Sequence, residues 1–401
     1  MNILSESELH HCTSCQMCAA ICPVSAIKIE LDDDGFYRPF VDDKCINCGK
    51  CVEACFKFDD NVVLTSEEEL SQVNHYAAFA KDISVVNETT SGGVADILAR
   101  HLVSMGYKVI GVVYDSTLDT AVHKVANDVE GVLQFRGSKY IQSYSLDALR
   151  ELVMQCKYQQ YAFFGLPCQI FAVNRFLENN NLRQQCILVD LYCHGCPSMF
   201  VWKKVVNHIH QCIGRGPFSS VNFRSKKAGW GKFVLEVKGE GGVEYNSTPL
   251  NNEFYDLFFS NQLLNQSCTE CLLRSTLHYT DIRLGDYWGK EYRKNKKGVS
   301  GVTLVTQIGK KVFGEISTNL QFEIRHCDDF LPYQSWGIKY QVNQELRSKL
   351  LAMLKNPNTT IHNVVAPIRK KMTLITRIKR IIKEILFSIY VVKGKFFTKT
   401  R

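Results

Sequence analysis

Residues 12–22 and 45–55 each spell C-x2-C-x2-C-x3-C. The first run is Cys12-Thr-Ser-Cys15-Gln-Met-Cys18-Ala-Ala-Ile-Cys22, the second Cys45-Ile-Asn-Cys48-Gly-Lys-Cys51-Val-Glu-Ala-Cys55. The first three thiols of such a run share one tight loop and can hold three irons of a cubane. The fourth opens a short helix that points away, so it serves the other cluster. The spacing predicts two [4Fe–4S] clusters: one on Cys12, Cys15, Cys18 and Cys55, the other on Cys45, Cys48, Cys51 and Cys22. Zinc is the competing reading, but its sites use two C-x2-C pairs across a longer spacer, which two complete four-cysteine runs fit poorly.

Between the runs, residues 27–37 alternate and then turn at Asp34-Gly35, the pattern of a small β-hairpin. Over about its first 60 residues the chain resembles a bacterial two-cluster ferredoxin. Phe56 stands where that family has proline after the last cysteine; the proline shapes packing and ligates nothing. Gly49 beside Cys48 suits backbone amides approaching a cluster sulfur, and equally a plain turn.

Seventeen cysteines in 401 residues need a compartment. Met1 to His11 has no basic start followed by an apolar core, so export is not expected. In a reducing, cytoplasmic setting these thiols read as metal ligands or catalytic groups, not disulfides. The net charge is +8, and from Ala366 onward eleven basic residues face Glu384 alone, a local +10, leaving −2 for the rest. A nucleic-acid-binding fold is therefore not expected. No apolar run reaches 18 residues, so no transmembrane helix is expected. Thr373 to Val392 reads as one basic amphipathic helix, with Ile378, Ile381, Ile382, Ile385 and Ile389 at helical spacing beside Arg377, Lys379, Arg380 and Lys383. Such a helix can lie on the inner, anionic membrane face, dock a partner, or fold onto its own body.

After residue 60 the pattern changes to apolar strands, glycine turns and amphipathic helices in alternation. Tyr76 to Ala80 opens it, Ser91-Gly92-Gly93 turns into a helix over 94–105, and Val109 to Tyr114 is a buried-type strand. Helices follow at 145–157, 171–178 and 199–210, strands at 161–165 and 187–192, and residues 218–248 alternate as β-strands. The reading is an α+β ferredoxin-like two-cluster domain (1–62), a linker (63–75), an α/β domain in two parts (76–160 and 161–345), and a basic tail (346–401).

Four fragments of the α/β region carry cysteines or glycines where chemistry would sit: Gly165-Leu-Pro167-Cys168-Gln169, Cys193-His194-Gly195-Cys196-Pro197-Ser198, Cys268-Thr-Glu-Cys271, and Gly285-Asp286-Tyr-Trp288-Gly289. Strand ends in α/β sheets are where sites assemble. Cys156, Cys186, Cys212 and Cys327 read as ordinary core or surface thiols.

Together with Ser91-Gly92-Gly93, residues 136–143 (Arg136-Gly137-Ser138-Lys139-Tyr140-Ile-Gln142-Ser143) and residues 281–289, these fragments resemble the family of coenzyme F420 hydrogenase/dehydrogenase beta subunits. Its members bear a flavin and react with a deazaflavin. The similarity spans about residues 76–340. It implies a bound FAD and a third [4Fe–4S] cluster, with ligand roles on Cys168, Cys193, Cys268 and Cys271 and with Cys196 ranked fifth. The candidates for the flavin site are the Ser91-Gly92-Gly93 amides, which can face an anion or flavin edge or simply make a tight turn, Arg136 and Lys139 around Gly137-Ser138, which can hold the pyrophosphate or form a solvated basic loop, and Gln142, which can bond the ring. Arg224, Lys226 and Lys227 are candidates for phosphates or an acidic substrate, His194 for proton movement. Trp288 reads as packing.

The expected function is an iron–sulfur flavoprotein oxidoreductase that couples hydride transfer at FAD to one-electron transfer through the clusters. Its substrate would be coenzyme F420 or a sugar-type compound of surface-polysaccharide synthesis, and its partner a redox protein or ferredoxin. The alternatives are an electron-transfer subunit with no substrate of its own, and a scaffold that kept its clusters for stability.

Overall fold

A computed structural model describes residues 1–6 and 9–372, with residues 376, 378, 379, 381, 382 and 384. The basic helix expected over residues 373–392 lies, apart from those six positions, outside the described residues. Among them, no helix is long and apolar enough to cross a membrane.

The N-terminal body is a two-stranded antiparallel hairpin, β1 (Ile27–Leu31) and β2 (Tyr37–Val41), flanked by the two cysteine runs. Gly35 makes its turn at φ 79. A Cβ there would meet Ser198 Oγ at 2.6 Å, so the hairpin tip packs where only glycine fits. Short helices, Met17–Ala20 and Lys50–Glu53, carry the third cysteines, Cys18 and Cys51, whereas the fourth, expected to open a helix, comes after the first of these at Cys22 and caps only the three-residue turn Phe56–Phe58 at Cys55.

The larger body holds strands β3 (Asn74–Ala80), β4 (Lys108–Asp115), β5 (Thr120–Ala126), β6 (Ser143–Tyr144), β7 (Tyr161–Phe164) and β8 (Cys186–Leu191). A small antiparallel sheet follows, made of β9 (Ser220–Ser225), β10 (Val234–Lys238) and β11 (Glu244–Asn246). The last strands are β12 (Ile282–Asp286), β13 (Ser300–Leu304) and β14 (Leu320–Arg325). Nine of these form one mixed sheet in the order β14-β3-β13-β12-β8-β7-β4-β5-β6. The run β4, β7, β8, β12 is parallel. Helices Val94–Ser104, Leu146–Gln155 and Pro167–Asn179 cover its faces with the apolar sides their periodicity sets.

Two boundaries differ from the sequence reading. The expected division at residue 160 runs through the middle of one sheet, because β3 pairs with β13 and β14. Residues 346–372, expected as the first part of the basic tail, pack onto the larger body. Helices Gln344–Lys355 and Ile361–Lys370 bury Leu350, Leu354, Val364 and Val365 in the core around Trp202 and Phe254.

Beneath the parallel strands lies a fully buried ion pair. Arg283 of β12 and Asp190 of β8 are partners in the parallel register, and Nε and Nη2 donate to the carboxylate at 2.8 and 2.5 Å.

Candidate functional site

Cys12, Cys15, Cys18 and Cys55 line one cavity of ≈260 Å³. Cys51 faces Cys48 and Cys22, and Asn2 Nδ2 approaches Cys45 Sγ at 3.8 Å. Cys55 of the second run thus stands with three thiols of the first, and four thiols around one cavity match the donor set of an iron–sulfur cubane. Burial, reinforced by neighbouring thiols, pushes Cys15 up to about 11 and Cys18 well above the ordinary thiol value. A metal taken up here must therefore displace protons.

A third group of thiols gathers at the carboxyl ends of β7 and β8. Cys168 opens the helix after β7, and Cys193 and Cys196 sit in the loop after β8. Cys268 and Cys271 come from the short helix Gln266–Thr269 and the turn behind it. Cys168 is raised by burial first and then by Cys196, Cys15, Cys193 and Cys268. Cys193 is pushed up to about 12, again by burial before its neighbours Cys268 and Cys271. Cys196, ranked fifth from the sequence, converges with the other four. Asn265, whose side chain bonds the Cys12 carbonyl and whose amide bonds the Cys196 carbonyl, places the first cage next to this group.

Arg274, which the sequence reading missed, organises these loops. Its guanidinium is buried and donates to the carbonyls of Cys193 (3.2 Å), His194 (2.9 Å), Ile338 (2.8 Å) and Cys268. A fixed positive charge among converging thiols suits a negatively charged cluster. The signal was its place three residues after Cys271.

Cys193 to Cys196 also form one wall of a cleft of ≈350 Å³. Its other walls are the start of helix Val94–Ser104, the 135–141 loop, the turn after β7, and Gly285-Asp286. Of the residues expected at a flavin, Ser91, Gly93, Arg136, Gly137, Ser138 and Lys139 line this cleft, while Gly92 and Gln142 do not. Gln142 is instead a clamp between the two bodies. It donates to the Gly35 and Pro197 carbonyls at 2.9 and 3.1 Å and accepts from the Tyr37 amide.

The two expected pyrophosphate cations are already engaged. Arg136 forks onto Asp96 (2.7 and 3.3 Å) and pairs with Glu88. Lys139 Nζ donates to the carbonyls of Val112, Phe135 and Arg136 at 2.7–3.1 Å. Arg224 is buried on Asp286, Tyr140 and the Trp230 carbonyl, and Lys226 is tied to the Val86 and Ser91 carbonyls. Lys227 bridges Glu236 and Glu244 on the small sheet. None of the last three lines the cleft. Trp288 stacks on Trp230 at 4.6 Å, the packing role expected of it.

His194, the proton-moving candidate, lines the cleft and is hydrogen-bonded at both nitrogens, by Asn261 at 2.7 Å and Tyr340 at 3.0 Å. His123 is the contrast. It lies on β5, lines the cleft, is 2% exposed and stacks on Phe163. Neither of its ring nitrogens has a hydrogen-bond partner. Burial lowers it to about 4, the nearby Phe164 carbonyl offsetting only part of that. Because the folded value lies below the ordinary ~6.5, His123 contributes no penalty above pH 6.5, and stability falls as pH drops from there toward 4. Between pH 7 and 5 this term costs about 2 kcal/mol. A His123→Phe chain is expected to lose that much less in urea melts over the same interval, and equal losses would rule the account out.

The site is thus that of an iron–sulfur protein whose thiol cages adjoin a cleft at the carboxyl edge of a mixed sheet. Residues 6–56 match the 4Fe-4S dicluster domain, and residues 158–329 match the C terminus of the coenzyme F420 hydrogenase/dehydrogenase beta subunit. Residues 158–329 are thus similar to the C-terminal domain of those beta subunits, with a dicluster domain ahead of them. It is 27% identical over 199 residues to an uncharacterized protein of Methanocaldococcus jannaschii, covering 43% of this chain and 55% of that one. It is 26% identical over 193 residues to one of the subunits of the F(420)H(2) dehydrogenase of Methanosarcina mazei, covering 45% and 53%. The chain therefore spans about half the length of these relatives. A solved structure of the F420-reducing [NiFe] hydrogenase complex from Methanosarcina barkeri aligns over 77% of this chain and 94% of that one, at 16% identity and TM-score 0.47.

Proposed function

We propose that this chain is an iron–sulfur flavoprotein oxidoreductase, with FAD in the cleft and three [4Fe–4S] clusters in the thiol groups. The observation that carries this is the shared wall: the loop Cys193–Cys196 belongs at once to the cleft and to the third thiol group. Bound flavin exchanges electrons in pairs or singly, and bound [4Fe–4S] clusters carry one at a time.

The chain's own residues prepare that chemistry. Cys168, Cys193, Cys268 and Cys271 hold the third cluster, and the buried Arg274 offsets its charge. With Arg136 and Lys139 committed elsewhere, a diphosphate is met by backbone instead. Helix Val94–Ser104 has no side-chain cap, and its first residues, Val94 to Asp96, line the cleft. The substrate is a hydride donor or acceptor, coenzyme F420 or a sugar-type compound, and the partner a redox protein.

A second reading, an electron-transfer subunit without its own substrate, draws support from the Methanosarcina mazei relative, which is named as part of a dehydrogenase. Anaerobic purification with iron, sulfide and flavin quantified tests both. About twelve irons and one FAD per chain are expected; about eight irons and no flavin would remove the flavoprotein reading. Bleaching of bound flavin by reduced F420 or a sugar substrate would then separate an enzyme from a relay.

A further inference from the structure

The two cysteine runs bend alike and are supported differently. Ser14 and Gln16 flank Cys15 in left-handed backbone, at φ 64 and 69. Asn47 and Gly49 flank Cys48 in the same way, at φ 52 and 82. Glycine takes that conformation freely and asparagine more readily than most, so the second loop uses residues suited to it. Serine and glutamine are not suited, and a backbone held there persists only when its surroundings enforce it.

For the first loop the surroundings belong largely to the larger body. Gln16 donates to the Ser143 carbonyl at 2.9 Å and accepts from the Ser145 and Leu146 amides at 2.8 and 3.0 Å. Ser14 Oγ accepts from Arg38 at 2.8 Å and from Asn265 Nδ2 at 3.0 Å. Asn265, wholly buried, also donates to the Cys12 carbonyl at 3.2 Å, and its Oδ1 accepts from Arg38 at 3.2 Å. Its own amide donates to the Cys196 carbonyl at 2.8 Å, and it begins the helix that carries Cys268. One residue thus touches the loop of the first cage with its side chain and the third thiol group with its backbone.

We propose that Asn265 is a positioning residue that holds the Cys12–Cys18 loop in its cluster-binding form and fixes it against the third thiol group. The first cluster site is then completed by the larger body, while the second depends on its own Asn47 and Gly49. This rests on the reading that the first run takes a [4Fe–4S] cluster.

The test uses the full chain, purified anaerobically, as wild type, Asn265→Ala and Asn265→Ala with Ser14→Gly. Iron released to a chelator is followed over time, with the electron paramagnetic resonance spectrum of the reduced protein as the second readout. Asn265→Ala is expected to release one cluster's iron about tenfold faster, since two donated hydrogen bonds are lost. Adding Ser14→Gly is expected to restore most of the retention, because glycine needs no clamp to stay left-handed. Equal release from Asn265→Ala and wild type would overturn the proposal, and so would failure of the glycine to rescue. A wild-type chain that assembles no cluster on the first run would sink the underlying reading, and this one with it.

Discussion

An Arg283→Met chain is expected to be about 3–5 kcal/mol less stable than wild type, the cost of leaving one member of a buried ion pair alone. Asp190 and Arg283 are each 2% exposed at the side chain, and Nε and Nη2 close a two-pronged bridge between β8 and β12. Burial already pushes the Asp190 carboxyl up, and Arg283 works against that. Without the guanidinium the carboxyl rises further. A raised acid is penalised above its folded value and relieved as it takes a proton, so the loss should shrink as the pH falls. Urea melts at pH 8 and pH 5.5 read both the size and the sign. Replacing Asp190 by leucine as well should recover most of the loss, because a well-packed apolar pair often matches a buried ionic one. A neutral result for Arg283→Met alone would mean that water reaches the pair.

A Cys168→Ala chain is expected to lose about four irons and to keep the two ferredoxin-type clusters. Cys168 starts the helix Pro167–Asn179 and stands among Cys196, Cys193 and Cys268. Cys196→Ala, by contrast, should keep its iron, since four other thiols remain at that site. Iron per chain in the two variants decides the ligand set. Loss in Cys196→Ala with retention in Cys168→Ala would exchange their roles.

How much of this was legible in the sequence depends on the kind of signal. Cysteine spacing is local, so the meeting of Cys55 with the first run and the Asp34-Gly35 hairpin could be read directly. The strands that lead to Cys168 and Cys193 were equally plain, because short apolar runs at 161–165 and 187–192 mark them. Charges were misleading. Arg136 and Lys139 look free in one dimension, but their partners, Asp96 and the Val112 carbonyl, arrive only through the fold. Gln142 was read as a ligand group because its other role, a grip on Gly35, spans more than a hundred positions. His123 was passed over because one histidine in a seven-residue strand has no pattern. The helices after residue 343 were submerged in the basic composition of the chain's end, although Leu350 and Leu354 in one and Ile361 and Val364 in the other already had a buried face's spacing.

The order of strands in the large sheet has a consequence for synthesis. β3 lies between β14 and β13, so an early segment waits for two of the last ones before its edges are covered. The chain emerges at about 5–20 residues per second, N-terminus first. For the many seconds needed to make the residues between β3 and β14, Asn74–Ala80 is an apolar strand with open edges, a hazard that such long-range pairing always carries. The small cysteine-rich body meanwhile is out and complete in sequence. Its second loop needs nothing further, but the side chain that steadies Ser14 leaves the ribosome some 250 residues later. On the proposal made above, one cluster site has its support early, and its neighbour gains the last of its support only when most of the chain exists.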